Sequence, residues 1–104
     1  MAFKSKAING GFTAGTPKIV AEPATTSDAL ITVSFMLHNA DTTNDADVTI
    51  YINDGTTTAT MSNDKITVGE SVYYDLKIIV PNGGNITIDS SVADLNVITS
   101  FDEE

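Results

Sequence analysis

Between Leu30 and Gly55 the side chains alternate too regularly for a helix. Ile31, Val33, Phe35 and Leu37 are separated by Thr32, Ser34, Met36 and His38. Beyond a polar loop, Val48, Ile50 and Ile52 are separated by Thr49, Tyr51 and Asn53. A period of two sends every second side chain to one face, so each segment reads as a strand with a buried and a wetter side. The connection between them is short and polar. The two strands are therefore predicted to pair antiparallel and form the floor of a β-sandwich.

The same pattern extends along the chain. Residues 1–16 hold Phe3, Ile8 and Phe12 as isolated apolar points and are expected to form an N-terminal arm, whose Phe3 and Phe12 are placed to dock on a neighbouring subunit. Residues 16–21 (TPKIVA) read as a short strand, and Pro17 assigns it to an edge. Asn53-Asp54-Gly55 is a hairpin turn, because Asp and Gly tolerate the positive φ that tight hairpins require. A return strand is expected over 56–61, a turn at Ser62-Asn63-Asp64, a short strand over 65–68, and a turn at Gly69-Glu70. Residues 71–80 read as a third long strand, with Val72, Tyr74, Leu76, Ile78 and Val80 on one face and Tyr73, Asp75, Lys77 and Ile79 on the other. Pro81-Asn82-Gly83-Gly84 is a tight turn. Residues 85–89 and 94–101 close the fold with Ile86, Ile88, Leu95 and Val97 inward, and Asp102-Glu103-Glu104 forms an acidic tail.

No window of ten residues has a helical period, so the class is all-β. Seven or eight short strands, separated by turn signals, predict an antiparallel β-sandwich of Ig-like or jelly-roll topology over residues 17–101. The strand order that separates these two stays open. With 104 residues the chain is long enough to bury a core, and without cysteine it must hold that core by packing alone.

Charge narrows the partners. Fourteen acids against five lysines and no arginine give a net charge of −9. Nucleic-acid binding needs the opposite balance. No segment approaches the ~20 apolar residues that span a bilayer. No apolar run follows Lys4 and Lys6, so a leader is not expected, and the reading is synthesis and retention in a cytoplasm.

Candidate chemistry is sparse. His38 is the single histidine, with Asp41 and Asp45 near it in sequence but no serine in a nucleophile elbow, so no triad is expected. Asp41, Asp45 and Asp47, with Asn39 and Asn44, form an oxygen-rich loop of the kind that holds Ca²⁺, yet their spacing is not that of an EF-hand. Whether it binds the ion is left open. Tyr51 and Tyr73 are expected on outer faces, where tyrosines stack on a sugar, meet a partner or pack across strands. Thr49, Thr56, Thr57, Thr58, Thr60 and Thr67 make an uncharged hydroxyl face without the lysines that usually guard sheet edges, and this face is the expected subunit contact. No catalytic, cofactor-binding or metal-binding residues are assigned, no cofactor is implied, and the expected class is non-enzymatic.

The stretches TPKIVAEPATTSDALITVSFMLHN, ADVTIYINDGTTTATM and KITVGESVYYDLKIIVPNGGNITIDSS, after the opening MAFKSKAI, resemble small bacteriophage virion proteins with Ig-like or jelly-roll sandwiches. The resemblance implies a virion structural role: a capsid decoration (cement) protein, made in the host cytoplasm and held by symmetric contacts to major capsid subunits and to its own copies. A phage neck or tail component is the nearest alternative. A carbohydrate- or adhesion-type binding module using Tyr51, Tyr73 and the Asp-rich loop is the other.

Overall fold

The computed structural model describes residues 2–103. Nine strands follow one another: β1 (Ala2–Asn9), β2 (Lys18–Ala21), β3 (Ala29–Asn39), β4 (Ala46–Asn53), β5 (Thr58–Ile66), β6 (Ser71–Leu76), β7 (Val80–Pro81), β8 (Asn85–Ser90) and β9 (Leu95–Glu103). They build two antiparallel sheets. The front sheet has the order β1-β9-β3-β6, with β7 also against β3, and the back sheet the order β2-β8-β4-β5.

That order settles the topology. Each rung of one long rolled hairpin is an antiparallel pair: β1 with β9, β2 with β8, β3 with β6 and β7, β4 with β5. Rolling the hairpin over brings β9 against β3 and β8 against β4. β6 and β7 occupy one strand position, split by residues 77–79. The result is an eight-position jelly roll, whereas an Ig sandwich keeps its first two strands side by side in one sheet.

The predicted floor is corrected by this arrangement. β3 and β4 do not pair; they lie in opposite sheets, and residues 40–45 carry the chain across the sandwich. Alternation reports which side of a strand is buried and says nothing of its neighbour. The crossing is pinned by Asn39, which is fully buried. Its Nδ2 donates to the Asn44 and Ile66 carbonyls, both at 3.0 Å, and its Oδ1 accepts the Asp41 N–H at 3.0 Å. Its backbone N–H and C=O also pair with Glu70 and Gly69. One amide thus ties β3, the crossing loop, the end of β5 and the next turn together.

Three further boundaries move. Ser62-Asn63-Asp64 is not a turn: β5 runs straight through it, and the register slip beside Ile50 and Tyr51 leaves Met61 as a bulge. The expected arm over 1–16 contains β1, which pairs with β9 from Ala2 to Asn9, and Phe12 is 4% exposed in the molecule's own core. The expected tail is also partly structured, because Asp102 and Glu103 belong to β9. Met1 and Glu104 lie outside the described residues.

The strand expected over 71–80 is broken at 77–79 into β6 and β7, and the separate strand expected over 65–68 is in part the end of β5, whereas the other edge and turn expectations hold. β2 is an edge strand, the chain reverses at Asn53–Gly55, and Gly84 donates to the Pro81 carbonyl across a turn with Gly83 at φ 91°. A Cβ on Gly84 would collide with the Asn53 carbonyl, so this turn has room only for glycine there. Leu30, Val33, Phe35, Leu37, Leu95 and Val97 of the front sheet meet Val20, Val48, Ile50, Ile66, Ile86 and Ile88 of the back sheet. Each such side chain contributes about 1.5–3 kcal/mol when fully buried.

The open edges are closed by side chains. Lys6 reaches from β1 to donate to the Ile19 carbonyl of β2 at 3.0 Å, joining the two sheets. Glu103 accepts the Ala24 N–H at 3.2 Å and the Ser27 hydroxyl at 2.7 Å, clasping the 22–28 loop to the end of β9.

Candidate functional site

The outer face of the front sheet is the least ordinary surface of the molecule. Directly opposed residues on adjacent strands share a face, so the register reads it in rows. One row runs Ala7, Ile98, Met36, Tyr73 across β1, β9, β3 and β6. The next runs Ser5, Ser100, Ser34, Asp75, and beyond it lie Phe3, Asp102 and Thr32. On the other side of the apolar row lie Asn9, Asn96, His38 and Ser71.

Of the large apolar side chains strongly exposed among the described residues, Phe3 at 83%, Tyr73 at 76% and Ile98 at 49% stand in these rows, and Ile79 at 71% lies in the break between β6 and β7. Scattered apolar residues on a surface need no explanation, but a contiguous row does. Two shallow depressions flank the serine row, one beside Phe3, Thr32 and Asp102, the other beside Met36, Tyr73 and Ile98. Asp75 and Asp102 are the acids of these rows, and His38 is their one basic side chain among the described residues, with Lys4 at the rim beside Phe3. The Ser34 hydroxyl donates to Asp75 at 2.7 Å, whereas Oδ1 of Asp102 is buried without a partner among the described residues.

The back sheet presents different chemistry. Its rows read Asp89, Thr49, Asn63 and Thr87, Tyr51, Thr60, then Asn85, Asn53, Thr58. Two pairs bond across strands: Thr49 donates to Asn63 at 2.9 Å, and Asn53 donates to Thr58 at 2.6 Å. Of the threonines singled out in the sequence, Thr49, Thr58 and Thr60 gather here and Thr56 and Thr57 in the adjoining turn, whereas Thr67 lies apart in the turn after β5.

The remaining candidates lie apart. Tyr51 is on the back face and Tyr73 on the front, so the two rings share no platform. His38 stands directly opposite Ser71, with Nδ1 2.8 Å from its hydroxyl, a pairing 33 residues apart that no sequence signal revealed. No carboxylate hydrogen-bonds that ring, and a serine nucleophile needs its base oriented by a third group. Asp41 accepts the Asn44 and Thr43 N–H groups, and these bonds hold its carboxyl below the ordinary carboxylate range. Asp45 accepts the Val68 N–H at 3.2 Å, and Asp47 lies 3.9 Å from Lys65. The three acids of the presumed calcium loop therefore serve three different partners. No group of three His, Cys, Asp or Glu side chains among the described residues is arranged to hold a metal.

Asp54 is built into the hairpin turn. Its carboxylate accepts the Thr57 and Thr56 N–H groups and the Thr56 hydroxyl, and these bonds lower its pKa.

The comparisons with known proteins are negative: no protein-family model matches the chain, and no curated protein does. The outward apolar residues of the row, though not their gathering into one row, were within reach of sequence reasoning. Met36 and Ile98 are apolar residues standing in the polar phase of strands whose other phase is already filled, and that misplacement is the signal.

Proposed function

We propose that the chain is a non-enzymatic structural subunit of a bacteriophage particle, a capsid decoration protein that acts through protein contacts. The observation that carries the reading is the front face: an apolar row and a serine row, nearly free of charge, on a molecule of net charge −9. Like-charged molecules repel, so contacts form where the charge is lowest. The jelly roll supports the reading as an architecture common to viral capsid and lectin domains, although a fold alone does not define a role. The phage context comes from the resemblance of the stretches quoted above, and with it come synthesis in the host cytoplasm and residence in the virion. A neck or tail position is the nearest alternative. The carbohydrate-binding alternative loses its basis in geometry, because Tyr51, Tyr73 and the 39–47 loop do not converge.

Immunogold labelling of purified virions with antibody to this chain tests the proposal. Regular label over the capsid is the expected result. Label confined to the neck or tail moves the subunit there. Particles without label, together with binding to a glycan array, would overturn the structural role.

A further inference from the structure

We infer that the front face is self-complementary and that a second copy of this chain covers it, the two copies packing face to face about a twofold axis parallel to the strands. The inference deepens the subunit-contact reading and rests on it only for its biological setting.

An isologous contact places residue i on residue j and j on i. An axis running along the strands, midway between β9 and β3, reverses each row onto itself. In the apolar row, Tyr73 then lies over Ala7, its only small member, and Ile98 lies over Met36. In the serine row, Asp75 lies over Ser5 and Ser100 over Ser34, so the acid meets a hydroxyl donor. In the third row, Asp102 lies over the Thr32 hydroxyl. Phe3 lies over the break between β6 and β7, where Ile79 is exposed. On the far side, His38 lies over Asn96 and Ser71 over Asn9. Large meets small, acid meets donor, and no acid meets an acid.

Turning the axis across the strands destroys this match, because Tyr73 then meets Tyr73 and Ala7 meets Ala7. The angle of about 30° between packed sheets leaves the central Ile98–Met36 contacts nearly in place and loosens only the corners. Four strands about 4.8 Å apart and about eight residues long give a flat footprint of about 500 Å² per copy, hence about 1,000 Å² for the pair, the lower bound for a specific interface. Side-chain relief enlarges it. The β1 edge is a poorer route to the same dimer, since Lys4 and Lys6 on its inward side oppose strand addition.

The test uses the whole chain. Sedimentation equilibrium is expected to give twice the 11.0 kDa chain mass. Tyr73→Lys and Ile98→Lys each weaken the association by about tenfold or more, while Tyr51→Lys on the back face leaves it unchanged. Circular dichroism of the variants should match the parent, since all three positions face outward. The chain has no cysteine, so A7C combined with Y73C provides a direct geometric probe. Packed sheets lie about 10 Å apart, beyond disulfide reach, so a bismaleimide of matching span is expected to cross-link the double variant into dimers and to leave each single variant largely uncross-linked. A monomer at every concentration, a trimer or ring, a dimer indifferent to Tyr73→Lys and Ile98→Lys, or no cross-link in the double variant would each overturn the inference. A monomer that still labels particles refutes only this dimer; a dimer absent from particles refutes only the virion role.

Discussion

The two outer faces of this sandwich are built from the same strand geometry and end in opposite states. On the back face, hydroxyls and amides pair across strands, as Thr49 does with Asn63 and Asn53 with Thr58. Those pairs form when the chain folds. On the front face, an apolar row stays in water. The two faces thus differ in what they expose, one hydroxyls and amides with two pairs already made, the other an apolar row.

The largest expected effect tests the distinction between inner and outer sides of one strand. Leu37 is fully buried and its neighbour Met36 faces outward, so Leu37→Ala should lower stability by about 2–5 kcal/mol in urea unfolding. Met36→Ser should change the unfolding of the isolated chain by no more than about 0.5 kcal/mol. Equal costs would mean that the front face is not an outer surface.

Asn39 lies where the front sheet hands the chain to the back sheet. Asn39→Ala removes three side-chain hydrogen bonds around buried backbone and should cost about 1–3 kcal/mol by the same measurement. Its amide exchange partners are the Asp41, Gly69 and Glu70 region, which should lose protection first.

A smaller effect belongs to the back face. Asn63→Ala breaks one cross-strand pair and should cost about 0.2–1 kcal/mol, with no change in oligomeric mass. A change in mass would move the contact surface to the back sheet and reverse the comparison.

The smallest effect is electrostatic. Asp54 has a folded-state pKa lowered by the Thr57 and Thr56 N–H groups, so its contribution is present above the unfolded-chain value and is lost as pH falls through the depressed one. Below about pH 4 the amide resonances of Thr56 and Thr57 should shift and the turn should loosen. Asp54→Asn should abolish that titration without moving the midpoint of any other group.

Much of the fold was legible because local chemistry decides it. The inward phase of Ile86, Ile88, Leu95 and Val97, the Asn53–Gly55 reversal and the Pro81–Gly84 turn all follow from nearest neighbours in sequence. Pairing was not legible, because nothing in the alternation of β3 distinguishes β9 or β6 from β4 as its neighbour. β1 was missed for a related reason. An edge strand with Lys4 and Lys6 on its inner side offers little apolar rhythm, and its conformation is dictated by β9. Phe12 looked like an isolated apolar point until the 10–16 segment folded it over the open end of the sandwich. Of the proposed contact surface, Tyr73 and Ile79 were assigned to the outer side, and Phe3 was marked. Their gathering on one face depended on a strand order that the sequence does not encode locally.

The central place of β9 has a kinetic consequence. It lies between β1 and β3, yet it is the last of the nine strands to be synthesised. Until it arrives, β1 has no strand to pair with, and β3 lacks one of its two neighbours. Nearly every rung of the roll joins distant parts of the chain, a pattern associated with slow, all-or-none folding. The front face is therefore incomplete in a growing chain until β9 has been made.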